Sequence, residues 1–303
     1  MKPTISGKIA WLMSCTLGLL LQCTTGLNND PVYNNEIRNW RTERMERLKS
    51  PSGWLNLVGL LWLKEGTNTF GSDSSNSLIF PEAAPSRAGT INLKDSVIRI
   101  HFNNYDEMLI DDQPAGDCRL YTDNSTHPTH VQIGRYAFTI IKRGNKYAVR
   151  LRDMESPLLG KLDSIPAFPA SRRWRVKAKL EKFEKQQTFE VNTVIGMPEK
   201  YSAEGKLVFK LKGKDFSLIP FDEGNSYFII FGDETSSIET YAAGRFLYAL
   251  KADSSGYIIL DFNKATNPPC AFTPFATCPL PIRENILAVK IEAGEKDVHI
   301  YKH

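Results

Sequence analysis

The chain has 303 residues, of which 42% are hydrophobic and 24% charged, a composition that excludes a disordered or fibrous protein. At this length one large domain or two modest ones are expected. Residues 1–22 carry Lys2 and Lys8 and no acid, so removing them takes the formal charge from +4 to +2. A near-neutral chain gives no reason to propose nucleic acid as a partner.

Lys2 and Lys8 precede "IAWLMSCTLGLLLQC", an apolar stretch too short to be a comfortable membrane span, and polar "TTGLNNDPVYNN" follows at once. That is the pattern of an export signal. Cys23, after Leu20-Leu21-Gln22, resembles the lipid-accepting cysteine of a bacterial lipoprotein. The resemblance implies an envelope protein held to the membrane by an N-terminal lipid, on the periplasmic or cell-surface side. Cys15, after Leu12-Met13-Ser14, is the alternative acceptor, and a cleaved signal without lipid is a third reading. Export would place the remaining cysteines, Cys118, Cys270 and Cys278, in an oxidising compartment where disulfides persist.

Beyond the signal, residues 23–53 read as a polar linker and one amphipathic helix. Ile37, Trp40, Arg44 and Leu48 share a helical face between about Asn35 and Lys49, and Pro51 and Gly53 end the helix. Its expected role is a lid packed on a sheet. Residues 54–156 read as a β-sandwich. "TINL", "SVIRIHF", "EMLIDD", "YAFTIIKR" and "YAVRLRD" alternate or run β-branched, with Gly144-Asn145 as a hairpin turn. Proline-containing residues 157–169 mark a boundary. Residues 157–303 form a second β-rich region: "RWRVKAKLEKF", a hairpin around Lys212-Gly213-Lys214, the central-looking strand "SYFIIFGD", "TYAAGRFLYAL" and "GYIILDFN" about the turn "KADSSG", and "NILAVKIEAGE" as a closing strand. The predicted class is therefore mainly β, one helix followed by a sandwich and a further sandwich or barrel-like region.

The stretch "EGTNTFGSDSSNSLIFPEAAPSRAGTINLKDSVIRIHF" resembles the opening of a forkhead-associated (FHA) domain, a β-sandwich that in many proteins binds phosphothreonine peptides. In that family an arginine follows the first glycine, and a Ser-Arg pair precedes a histidine. Here Ser72 follows Gly71, and Ala88-Gly89 follows Ser86-Arg87. The resemblance implies the sandwich and not the phosphopeptide activity. "GWLNLVGLLWLKEGTNTFGSD", "TYAAGRFLYAL", "LDFNKATNPPCAFTPFATCPLP" and "ENILAVKIEAGEK" resemble a bacterial and archaeal family known as domain of unknown function 1684, which implies no activity.

Polar residues concentrate between Asp233 and Glu295, at the ends of otherwise apolar strands, where functional groups often sit. Arg245 could fix an anionic oxygen while Asp261 or Glu284 acts as acid or base, with Asn263 beside them. The opposing reading is that Arg245 makes a buried ion pair and Asn263 satisfies turn amides. Cys270 and Cys278, eight apart in "NPPCAFTPFATCPLP", admit three readings: a disulfide worth about 2–3 kcal/mol, inert buried thiols, or a catalytic or metal-binding pair. No histidine lies near them in sequence, and their spacing is not that of a zinc knuckle. His127 and His130 read as a surface turn, and Trp54, Trp62 and Trp174 as core or as platforms for a sugar ring. No cofactor and no metal is predicted. Two functions stand side by side: an envelope enzyme, possibly hydrolytic, acting through Arg245, Asp261, Asn263 and Glu284, and a non-catalytic lipoprotein that binds or scaffolds a small molecule, glycan or peptide.

Overall fold

A computed structural model describes residues 1, 30–252 and 256–300. Cys23 and the predicted signal lie outside the described residues. The helix spans Pro31–Lys49 and starts four residues before the predicted Asn35. Asp30 is the reason. Its carboxylate accepts from the Tyr33 backbone N–H at 2.9 Å, and Pro31 occupies the first turn, where its missing N–H costs nothing. The buried face is Tyr33, Ile37 and Leu48, with Arg44 reaching sideways to Glu295 at 3.1 Å.

Two antiparallel-rich sheets follow. One has the order Leu57–Trp62, Lys146–Asp153, Tyr136–Arg143, Val131–Ile133, Met108–Ile110, Gln113–Pro114. The other runs Leu78–Ile79, Gly66–Gly71, Gly89–Lys94, Val97–Phe102, Cys118–Leu120. Alternation decides their inner faces. Phe138, Ile140, Val149 and Leu151 from the first sheet meet Phe70, Ile91, Ile100 and Phe102 from the second in one core. The outer face of the first sheet carries the intervening residues, Ala137, Thr139, Arg150 and Arg152. This is the predicted β-sandwich. Gly71 is obligatory there, because its φ is +147° and a Cβ would lie 2.4 Å from the Ser86 carbonyl oxygen.

The remaining strands build two further sheets. Lys214–Leu218, Glu199–Leu211, Arg175–Val191 and Tyr257–Asp261 form one; Phe221–Glu223, Ser226–Asp233 and Arg245–Leu250 form the other. "SYFIIFGD" is central, as its apolar run requires. Ile229 and Phe231 face a core with Trp174, Leu207, Leu247 and Leu260, while Phe228 and Ile230 face a different core beneath the Cys270–Cys278 loop. The predicted turn after Leu250 closes no hairpin: Arg245–Leu250 pairs with Ser226–Asp233, and Tyr257–Asp261 pairs with Arg175–Val191. Residues 157–169 are packed rather than free, with Leu158, Leu159 and Ile165 against the loop core and Phe168 N–H donating to the Gly294 carbonyl at 3.0 Å.

"NILAVKIEAGE" does not form the predicted strand. Only Ile286–Leu287 pairs, parallel to Gly232 and Asp233. Beyond it no ladder continues, and scattered backbone contacts such as Glu234 N–H to the Val289 carbonyl at 3.2 Å are joined by side chains. The Ile291 N–H donates to the Asp233 carboxylate at 2.7 Å, and Arg245 donates to the carbonyls of Ile291 and Ala293.

Candidate functional site

That exchange settles the structural position of Arg245. Its side chain is fully buried, its Nη2 lies 3.0 Å from Asp233 Oδ1, and its three contacts, to the Ile291, Ala293 and Glu295 carbonyls, splint the irregular segment. Burial lowers the Arg245 pKa and the Asp233 charge opposes that shift.

Asp261 and Asn263 sit elsewhere, under the N-terminal helix. Tyr33 Oη donates to the Asp261 carboxylate at 2.7 and 2.9 Å. Asn263 Nδ2 donates to the Tyr33 oxygen and to the Ser171 carbonyl, each at 2.9 Å, and Asn263 Oδ1 accepts from the Ser171 N–H at 2.9 Å. Burial and the facing Asp261 carboxylate push the Tyr33 hydroxyl far above the usual phenol range, so it remains a donor. Glu284 is exposed on the short turn Arg283–Asn285. The four residues therefore occupy three places: Arg245 is paired inside the core, Asp261 and Asn263 fasten a helix, and Glu284 faces solvent.

Cys270 and Cys278 are buried free thiols lying side by side, with the Cys270 N–H donating to the Cys278 sulfur at 3.1 Å. Burial pushes the Cys278 thiol upward, away from thiolate character. Their loop is braced from several sides. Thr273 Oγ1 donates to the Leu57 carbonyl at 3.1 Å, Val194 N–H to the Cys278 carbonyl at 2.9 Å, and Arg143 Nε to Thr277 Oγ1 at 3.2 Å. His127 and His130 are exposed, and among the described residues no cluster of three or more His, Cys, Asp or Glu could hold a metal.

The outer side of this loop walls a cavity of about 450 Å³. Opposite it stand Arg143 and Arg150 of the sandwich, Trp54 from the segment after the helix, Glu199 and Tyr201, and Glu223 beside Tyr248. Three arginines reach this space, and they differ. Arg44 is paired with Glu295 at 3.1 Å and donates to the Asn267 carbonyl at 3.0 Å. Arg143 pairs with Asp123 at 2.8 Å and Glu199 at 3.4 Å. Arg150 has no carboxylate within salt-bridge distance among the described residues; its guanidinium lies 5.4 Å from the Trp54 ring and its buried Nε has no hydrogen-bond partner. Burial, helped by the like charges of Arg143 and Arg152, pulls its pKa down to about 10. The buried Oδ1 of Asn267, another residue of this wall, is also unpartnered. Glu199 accepts from Tyr201 Oη at 2.9 Å, and Tyr248 stacks on Phe228 at 5.0 Å with 55% of its surface exposed.

An uncompensated guanidinium on a cavity wall is an anion site in waiting, because an incoming carboxylate or phosphate supplies both the missing charge and the missing acceptor. Arg150 had a signal in the sequence. In "YAVRLRD" the two arginines alternate with Val149 and Leu151, so both lie on the outer face of the strand. What the strand pattern does not reveal is that, among the described residues, no acid pairs with them.

The molecule is thus a β-sandwich joined to a second β-rich region, with a basic and aromatic cavity where the two meet. Within it, residues 160–296 match the family model described as "Protein of unknown function (DUF1684)". That match starts after the sandwich, so the block beginning "GWLNLVGLLWL" is outside it. Among solved structures, an uncharacterised protein of Haloarcula marismortui is 28% identical, over 47% of this chain and 80% of that one, with a TM-score of 0.40. The FHA domain of Rv0020c is 16% identical over 30% of this chain and 78% of its own, with a TM-score of 0.22. An FHA domain studied for phosphothreonine-dependent interactions is 15% identical over 31% and 92%, also with a TM-score of 0.22. No curated protein matches the chain.

Proposed function

We propose that this is an exported envelope lipoprotein that binds an anionic ligand in the cavity between the sandwich and the Cys270–Cys278 loop. Arg150 carries the reading: it is a mostly buried cation beside Trp54 with no anion of its own. Binding is favoured over hydrolysis through Arg245, Asp261, Asn263 and Glu284 because these four share no pocket and the first three are spent on holding backbone and helix. The export and anchoring part of the proposal rests on Lys2, Lys8, the apolar run and Cys23. Thermal-shift measurements against simple carboxylates and inorganic phosphate test the cavity. An anion that raises the melting temperature of the wild type, and not of Arg150→Gln, supports the site; equal shifts in both proteins would refute it. Metabolic labelling with a radioactive fatty acid tests the anchor, and label retained by Cys23→Ser would exclude that residue as the acceptor.

A further inference from the structure

The site does not end at Arg150. That residue also lines a second cavity, of about 500 Å³, on the outer face of the Leu57–Trp62, Lys146–Asp153, Tyr136–Arg143 sheet. The second cavity holds Thr139, Gln132 and Arg152, and it runs to Asp111 and Asp112 at the far end. Arg152 repeats the condition of Arg150. Its Nη1 donates to Asn56 Oδ1 at 2.8 Å and to the Gly53 carbonyl, its guanidinium lies 5.8 Å from the same Trp54 ring, and no carboxylate pairs with it among the described residues. The two cations are two residues apart on one strand face, so their Cα atoms are separated by roughly 7 Å along the strand.

Resting on the anion-site reading above, we infer that the two cavities form one groove for a linear acidic oligosaccharide, with carboxylates of successive sugars seated on Arg150 and Arg152. Three features select this class. Two unpaired guanidiniums at strand spacing ask for two anions on one ligand rather than one. Tyr248, 55% exposed and stacked on Phe228, offers a flat apolar face to a sugar ring. Glu199 and Glu223 on one side, with Asp111 and Asp112 on the other, accept hydrogen bonds from sugar hydroxyls. A polyphosphate or a nucleic-acid strand has few hydroxyl donors to offer these four acceptors.

Calorimetric titration of the full-length protein in detergent with galacturonic acid, trigalacturonic acid, neutral maltotriose and a short single-stranded oligothymidylate separates the possibilities. The trimer is expected to bind about tenfold or more tighter than the monomer, and maltotriose about tenfold or more weaker than the acidic trimer, as loss of charge-assisted contacts dictates. Arg152→Gln is expected to cost the trimer about tenfold and to flatten the dependence on length. Thr139→Asp, which leaves the Asn56 and Gly53 contacts intact, should weaken the trimer in the same direction. Equal affinities for monomer and trimer in the wild type would overturn the groove while leaving a one-anion site. Failure of every acidic sugar and simple anion to bind would remove both readings. Tightest binding by oligothymidylate would overturn the saccharide class.

Discussion

Arg245→Met, an apolar replacement of similar length, separates a structural from a catalytic role for this fully buried cation. The change leaves the Asp233 carboxylate without its cation in a site from which water is excluded. It also removes the donors to the Ala293 and Glu295 carbonyls, while the Ile291 carbonyl keeps the Ala293 N–H at 2.9 Å. Breaking a buried pair by removing one partner costs about 3–5 kcal/mol, and each orphaned acceptor adds about 1–3 kcal/mol where water cannot replace the donor. The Thr235 hydroxyl and the Ile291 N–H still solvate Asp233, at 2.9 and 2.7 Å, so the total belongs near the lower end, about 5 kcal/mol. For a chain of this size that is a fall in melting temperature of about 10 °C. Chemical denaturation followed by circular dichroism measures the loss. Ligand affinity per folded molecule should be unchanged, because the Arg245–Asp233 pair lies outside the groove. A variant within about 1 kcal/mol of wild type that nevertheless loses its ligand would refute the splint and restore Arg245 to the site.

Arg150→Met should behave in the opposite way, keeping or gaining stability because an unpaired desolvated charge disappears, while anion affinity falls about tenfold or more; denaturation and titration on the same preparation check both halves. Tyr33→Phe leaves Asp261 without its hydroxyl donor and should cost about 1–3 kcal/mol, with limited proteolysis releasing the N-terminal helix before the rest of the chain unfolds. Asp30 has its pKa held below the ordinary 3.8 by the Tyr33 backbone N–H and then by Arg172. Its contribution is therefore present above the unfolded value and lost as pH falls through the folded one, so stability curves of wild type and Asp30→Ala should converge on acidification below about pH 4. If Cys270 and Cys278 remain free thiols, native alkylation should modify Cys118 first, since the other two are buried. Envelope-purified protein two mass units lighter, restored by reductant, would show instead that the adjacent pair has been oxidised.

Much of the architecture was legible in local pattern. Alternation in "YAFTIIKR" and "YAVRLRD" marked strands that the structure places at Tyr136–Arg143 and Lys146–Asp153, and Gly144, with φ +58°, turns between them. Lys212-Gly213 turns a second hairpin with φ values of +50° and +78°. The unbroken apolar run of "SYFIIFG" announced a strand covered on both sides. Such signals are legible because they depend on the φ/ψ demands of a few neighbouring residues and on which side of a strand each side chain points.

The candidate site was not legible in the same way, and "NILAVKIEAGE" shows why. Its composition suits a strand, but at Ile291 and Ala293 it is Asp233 and Arg245, some fifty residues earlier, that take the hydrogen bonds. A polar side chain bound to backbone and one free for a ligand look identical in sequence, because the distinction lies in which distant group arrives beside it. Arg245 and Asn263 found partners; Arg150 and Arg152 found only Trp54, Asn56 and the Gly53 carbonyl. By itself the sequence determined the class of fold, most of its strands and the pattern of an export signal. Only the tertiary structure decided which charges are cancelled within the protein and which still face an open groove, since charge compensation depends on through-space distance and not on position along the chain.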